Sequence, residues 1–224
     1  MNAPFTRVLL LAAGALLTAA VGVDAAQDLS PDEAAYRQVV RGRAEKIVTQ
    51  LQLSDPAQAE RVTTLIADYY RGLRDLHDAR DAQLEELAGG DEQPRTLAKH
   101  ESQLALQKQR RTFLAGLSAD LSAEQVDRVK DGLTYGVVGV TMGAYRELLP
   151  GLTDEEQRYI YANLVEARDY AMEGGSSHEK HGWFGKYKGR INNYLSARGY
   201  DLKQAERELA EHEQQAANQS KPQE

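Results

Sequence analysis

The chain contains no cysteine. Without thiols it forms no disulfide, no cysteine nucleophile and no cysteine-ligated metal site. At 224 residues the chain is long enough to bury a stable core without covalent cross-links. Its length suits a single domain.

Long apolar runs are absent except at the amino terminus. Arg7 precedes an apolar segment at residues 8–20, and small residues follow at Val23 and Ala25. This pattern predicts a signal peptide over residues 1–25, because the segment is shorter than the ~20 residues of a membrane span. We therefore expect a periplasmic or secreted protein with no stable membrane insertion after signal cleavage.

Positive charge is in the minority, with 27 Lys and Arg against 34 Asp and Glu and a net charge of -7. An exported acidic chain is a poor match for nucleic acid, so no such partner is expected.

His178 and His181 lack a third ligand and the spacing of zinc proteases, which disfavours a metal site. Nucleotide-binding glycine loops and a Gly-x-Ser-x-Gly elbow are also missing, and no cofactor is predicted.

Helix-start signals recur along the rest of the chain. Capping residues precede apolar residues at helical spacing near Ser30, Asp55, Ser122 and Thr153, and another helix is expected near Pro94 with Leu97, Leu104, Leu114 and Leu117 as its apolar stripe. The pattern predicts an all-α fold: a single-domain multi-helix bundle over residues 26–216 with long antiparallel helices. Residues 217–224 are polar and are predicted to form a disordered tail.

The segment at residues 133–145 departs from this pattern. It combines three glycines with β-branched residues, both of which are poor helix formers. We predict an irregular or extended crossing segment here.

Charged residues cluster towards the end of the second predicted helix. Arg71 with Asp75 and His77 with Asp81 lie four residues apart, as does the pair Arg74 and Asp78. This spacing is typical of an ion-paired solvent face. It would also let Asp81 orient His77 as a proton acceptor, and both interpretations stay open.

Residues 178–201 hold the only Trp and a group of Lys and Arg side chains. They predict a helix that begins after a Gly-Gly-Ser-Ser turn and buries Tyr187, Ile191 and Leu195. Glycines 182, 185 and 189 align on another face and cost roughly 3 kcal/mol of helix propensity, which indicates a close partner, either a second helix or a ligand.

The basic and aromatic character of this segment favours an anionic oligosaccharide as its partner. In an enzyme, β-elimination from a uronate would need a cation at the carboxylate and a proton acceptor. The candidate catalytic residues are His77, His181, Tyr187 and Arg190. The candidate substrate-binding residues are Tyr135, Trp183, Lys186, Lys188, Asn192 and Asn193. The other interpretation is a docking helix whose lysines neutralise acidic neighbours.

Two capping segments resemble a chaperone signature. Leu121-Ser122-x-x-Gln125 is similar to the Leu-Thr-x-x-Gln motif of Spy/CpxP-type periplasmic chaperones, and Leu152-Thr153 begins a second copy with its Gln one place late. The resemblance implies a helical dimer without sugar affinity, whereas the residues themselves leave the oligomeric state undefined. Both segments are equally typical of ordinary helix starts.

Three longer segments resemble one bacterial family. They are GSSHEKHGWFGKYKGRINNYLSARGYD at residues 175–201, HDARD at 77–81 and LTYGVVGVT at 133–141. They are similar to the exported helical proteins grouped as domain of unknown function DUF3826. The resemblance implies a helical fold and genes often placed near those for polysaccharide breakdown, but it supplies no catalytic residue.

Overall fold

The computed structural model describes residues 30–219, with side chains to residue 211, and this part of the chain contains eight helices and no strand. The signal-peptide prediction for residues 1–25 lies outside the described residues. The helices are α1 Pro31–Thr49, α2 Pro56–Glu86, α3 Glu92–Asp120, α4 Ala123–Leu133, α5 Val137–Leu148, α6 Asp154–Ala171, α7 Ser177–Ala197 and α8 Leu202–Gln219. The predicted all-α, single-domain fold is confirmed.

The predicted helix starts owe their positions to side-chain caps. The Ser122 hydroxyl accepts from the backbone N–H of Gln125, whose side chain in turn accepts from the Ser122 N–H. Thr153 and Glu156 form the same reciprocal pair at the start of α6. Each cap satisfies amides that would otherwise lack a helical partner, which is why these starts can be predicted from the sequence.

The predicted irregular crossing at residues 133–145 is wrong for most of its length. Residues 134–136 alone separate α4 from α5, and Gly136 takes the left-handed conformation, with φ of 66°, that makes this tight turn possible. The rest is helical because Val138, Met142 and Tyr145 share one face and bury it in the core.

The predicted apolar stripe of the third helix is right for Leu114 and Leu117, which pack in the core, and wrong for its first two members. Leu97 and Leu104 are 56% and 63% exposed, whereas Ala98, Leu106 and Phe113 are buried. Over residues 97–106 the buried face of α3 is therefore rotated from the one that the leucine spacing suggested, because the partner helix α2 packs against it there.

Two apolar clusters form the core. The first joins α1 to α4 around Ile66, Phe113 and Leu117. The second joins α5 to α8 around Leu164 and Ile191. We call the boundary between these clusters the seam.

Polar side chains that are themselves buried lie along the seam. Arg168 of α6 donates to Asp131 at 2.7 Å and to Asp127 at 2.8 Å, both on α4. The Tyr69 hydroxyl of α2 donates to the carbonyl oxygen of Met172, just beyond α6, at 3.2 Å. Buried polar groups need defined partners, so these contacts favour one way of docking the two clusters.

We expect Arg168→Met to lower the free energy of unfolding by about 2 kcal/mol, since it removes two charge-assisted hydrogen bonds from a buried site. Arg190→Met is the matched control. Arg190 is 49% exposed with Glu166 at 3.4 Å, and its loss should change stability by less than about 0.5 kcal/mol. Chemical denaturation measures both values, and equal losses would contradict a structural role for the seam.

Candidate functional site

The turn between α6 and α7 lies directly on α2. The imidazole of His77 on α2 hydrogen-bonds through Nε2 to the carbonyl oxygen of Glu173 at 2.7 Å. A Cβ added to Gly175 would lie 2.7 Å from Cδ2 of that imidazole, and one added to Gly174 would lie 2.9 Å from Cγ of Lys180. Glycine is required at both positions because the backbone is wedged between these two side chains.

One cleft opens on the Lys180 side of the turn, with a volume of about 280 Å³. We call it the lysine cleft. Three of its lining residues are cationic and none is acidic. The lining residues are Tyr36, Arg43, Tyr70, Leu73, Arg74, Tyr135, Gly174, Gly175, Ser176, Ser177 and Lys180.

Lys180 is only 5% exposed although it carries an ionisable amine. Its Nζ donates to the carbonyl oxygen of Leu133 at 2.9 Å and lies 5.4 Å from the ring centroid of Tyr70. It forms no ion pair with a carboxylate among residues 30–211. Burial, and secondarily the charge of Arg43, lowers the pKa of Lys180 from 10.5 to about 8.

Tyr135 stands at the mouth of the lysine cleft in a strained backbone conformation. Its φ of 61° lies in the left-handed region, which is uncommon for an aromatic residue. The side chain is 55% exposed, and its ring stacks on that of His181 at 5.5 Å. Strain of this kind is concentrated at functional sites, because the surrounding structure must hold it in place.

The two arginines of the lysine cleft differ in their partners. Arg74 lies over the ring of Tyr36 at 4.0 Å and pairs with Glu33 at 2.9 Å. Arg43 has no ion-pair partner within the part of the chain whose side chains are described. Arg43 and Lys180 therefore contribute uncompensated positive charge to the cleft.

A second cleft of about 390 Å³ lies on the other side of the turn, and we call it the histidine cleft. His77 lines it, and the buried Nδ1 of this residue has no hydrogen-bond partner within residues 30–211. The carboxylate of Glu173 is held by Arg110 at 2.7 Å and by Gln103 at 3.0 Å. Because its charges are mixed and largely paired, this cleft shows no preference for an anion.

The ten predicted site residues do not surround one cavity. His77, Trp183 and Lys186 line the histidine cleft, whereas Tyr135 lines the lysine cleft with His181 stacked against it. The remaining five lie farther along α7. These are Tyr187, Lys188, Arg190, Asn192 and Asn193.

The aromatic residues predicted to contact a ligand are already engaged. Trp183 stacks on Tyr170 at 4.7 Å, and Lys186 lies over its ring at 5.1 Å. Tyr187 is buried, and burial together with Glu166 raises its pKa to about 12, which makes it a weak candidate for a proton acceptor.

Farther along α7 the polar residues are paired or simply exposed. Arg190 lies over the ring of Tyr187 at 4.5 Å, and Asn192 accepts a hydrogen bond from the Tyr145 hydroxyl at 2.5 Å. Lys188 and Asn193 are exposed.

Of the two partners predicted for the glycine face of α7, a second helix and a ligand, the second helix is not found in the described chain. A Cβ added at Gly182, Gly185 or Gly189 would meet nothing within 4 Å, so no other helix of the described chain packs closely on them.

The predicted four-residue ion pairs of α2 are not formed either. Arg71 pairs with Asp68, and Arg74 pairs with Glu33 and Asp75, because these carboxylates are better placed than the predicted ones. Asp81 pairs with Arg80 rather than with His77.

The apolar spacing of α7 indicates that Lys180 is buried, although this residue is not among the ten predicted site residues. Phe184, Ile191 and Leu195 form the buried stripe of α7, and Lys180 lies one turn before Phe184 on the same stripe. A lysine at a core position is rare unless its charge is paired. The cleft partners from α1 and α2 carry no comparable signal.

The chain is thus an all-helical protein with a basic cleft at the seam between two apolar clusters. The family model for protein of unknown function DUF3826 matches residues 37–215, and the chain belongs to that family. No curated protein shows significant sequence similarity to it. None of the helices in residues 30–219 combines the length and apolarity that a bilayer span requires.

The two kinds of glycine should respond oppositely to alanine. Gly175→Ala places a methyl group against His77 and should lower the free energy of unfolding by about 1–3 kcal/mol. Gly182→Ala on the open face of α7 should raise it by about 0.5–1 kcal/mol through helix propensity. Denaturant titration measures the free energy of unfolding of both variants. If Gly175→Ala leaves it unchanged, the close packing of the turn is contradicted.

Proposed function

We propose that the lysine cleft binds the carboxylate of an acidic saccharide, with a uronate as the charged unit. The observation that carries this proposal is the buried amine of Lys180, which has no carboxylate partner among residues 30–211. A buried ammonium is costly unless an opposite charge compensates it. A ligand carboxylate would supply that charge.

Arg43 supports the same ligand class. Its guanidinium lines the cleft beside Lys180 and can bind a carboxylate with two parallel hydrogen bonds. Since the cleft has no acidic lining residue in a chain of net charge -7, its electrostatic character is opposite to that of the whole protein.

The other walls suit the uncharged part of a sugar. Ser176 and Ser177 bring hydroxyl groups, and Tyr135, which is 55% exposed, brings a ring with a polar end, whereas the ring of Tyr36 is covered by Arg74. Saccharide sites combine such aromatic surfaces with a few polar groups that fix orientation. An inorganic anion would not need these aromatic walls.

We expect oligogalacturonate to bind with an affinity that falls as the pH rises above about 8. The charged form of Lys180 holds the ligand, and it loses its proton through its pKa of about 8. The groups that face this amine are Arg43, Arg74, Tyr36, Tyr70 and Tyr135. Calorimetric titration between pH 6 and pH 9 measures the change, with an uncharged oligosaccharide as the ligand control.

Lys180→Met should reduce the affinity about 10- to 100-fold, the value of one charge-assisted hydrogen bond. The protein should still fold, because an apolar side chain of similar length replaces a buried charge. Lys188→Met is the control, since Lys188 lies on the same helix but is exposed and lines neither cleft. Equal effects of the two substitutions would refute the proposed site.

The same groups are suited to β-elimination. The neutral amine of Lys180 would take the proton from C5 of the uronate while Arg43 stabilises the carboxylate. The electrons of the C5–H bond would form the C4–C5 double bond as the C4–O bond breaks, and the leaving oxygen would take a proton from the Tyr135 hydroxyl. The products are an unsaturated uronate and a shortened saccharide.

Turnover should therefore increase with pH through about 8, opposite in sign to binding, because the neutral amine is the base. Ultraviolet absorbance of the unsaturated product, measured with pectin, alginate and glycosaminoglycan substrates, tests this. Lys180→Met should abolish the signal, and Lys188→Met should leave it unchanged. If uronates bind but no absorbance of an unsaturated product develops, the protein binds the saccharide without cleaving it, and the lyase activity is refuted.

A Spy/CpxP-like chaperone is the second candidate. An apolar groove of about 440 Å³ between α2 and α3, lined by Leu65, Leu76 and Phe113 among others, is the feature that favours it. Suppression of client aggregation that is equal in the wild type and in Lys180→Met, without uronate binding, would support this candidate over the saccharide.

A further inference from the structure

The lysine cleft continues into a neighbouring cavity. This cavity has a volume of about 260 Å³ and shares Arg43, Tyr70 and Tyr135 with the lysine cleft. We propose that it is a second anion subsite, centred on Lys46, for the next charged unit of an acidic oligosaccharide. The inference rests on the proposed function and adds the length and charge spacing of the ligand.

One face of α1 builds the subsite. Arg43, Lys46 and Gln50 recur at spacings of three and four residues, so they project on the same side of the helix. Arg41 pairs with both Glu45 and Glu60 outside this cavity, so these carboxylates do not neutralise the face.

Gly132 closes the floor of the subsite. It lies in the last turn of α4, and a Cβ there would come within 2.8 Å of the Ile47 side chain. The glycine allows α4 to approach α1 closely, and Tyr135, which follows α4, lines the same cavity as Arg43 and Lys46. The cavity is therefore a built feature of the packing between two helices.

The charge of the combined groove favours a polyanion over a single carboxylate. Its lining residues include four cations, which are Arg43, Lys46, Arg74 and Lys180, and no Asp or Glu. Arg74 is paired with Glu33, whereas the other three form no ion pair among residues 30–211. Three neighbouring uncompensated cations repel one another, and two consecutive uronate units would relieve that repulsion.

Arg43 lies between the two subsites because it lines both cavities. The position predicts a ligand whose first carboxylate lies between Lys180 and Arg43 and whose second lies between Arg43 and Lys46. A linear chain of adjacent uronates meets this requirement. A polymer in which every acidic unit is flanked by neutral ones does not.

Calorimetric titration of mono-, di- and trigalacturonate into the wild type, Lys46→Met and Lys188→Met tests the subsite. The wild type should bind the di- and trisaccharide about tenfold more tightly than the monosaccharide. Lys46→Met should remove that gain and leave monosaccharide affinity unchanged, whereas Lys188→Met should preserve the gain. Lys46 is exposed, so its substitution should not disturb folding.

The outcomes separate the two proposals. If the wild type binds no uronate of any length, the proposed function fails. If the monosaccharide binds but affinity does not increase with length, or if Lys46→Met weakens all three ligands equally or none of them, the second subsite is refuted while the lysine cleft stands.

Discussion

The hydrogen bond from the Lys180 ammonium to the carbonyl oxygen of Leu133 holds the site together. Leu133 is the last residue of α4, where carbonyl groups lack helical partners and the helix dipole is negative. A cation is favoured at this position, which offsets part of the cost of burying the amine and leaves the rest for a ligand carboxylate to compensate. The bond also ties α7 to α4 across the seam, so the two clusters and the cleft share one anchor.

The remaining seam contacts follow the same arrangement. The turn after α6 presents the carbonyl oxygen of Glu173 to His77 and its carboxylate to Arg110, while Arg168 binds α4. The partners lie on α2, α3 and α4, which are helices of the first cluster, whereas Arg168 and Glu173 belong to α6 and the turn that follows it. Such fully directed polar contacts specify a single docking geometry better than apolar packing does, because a shift would leave buried groups unpaired.

Local chemistry explains what the sequence could predict. Reciprocal caps at Ser122 and Thr153 involve residues three apart, and those helix starts were correct. The helix α5 was missed because the break is confined to residues 134–136, where Tyr135 and Gly136 both take left-handed conformations, while Gly139 and Gly143 lie inside the helix. The lysine cleft depends on Arg43 and Tyr70, which are more than a hundred residues from Lys180 in the chain, and no local pattern links such positions.

The basic helix α7 and its C-cap carry several exposed cations, and most of them already contact neighbouring side chains. Lys186 and Arg198 lie over aromatic rings, and Arg198 also pairs with Glu155. In a chain with 34 acidic residues, carboxylates are abundant, and even the buried Arg168 has two. The lack of a carboxylate partner for Lys180 among residues 30–211 therefore reflects the shape of the cleft rather than a shortage of acids. A site that keeps its own carboxylates away from a buried cation is suited to receive one from a ligand.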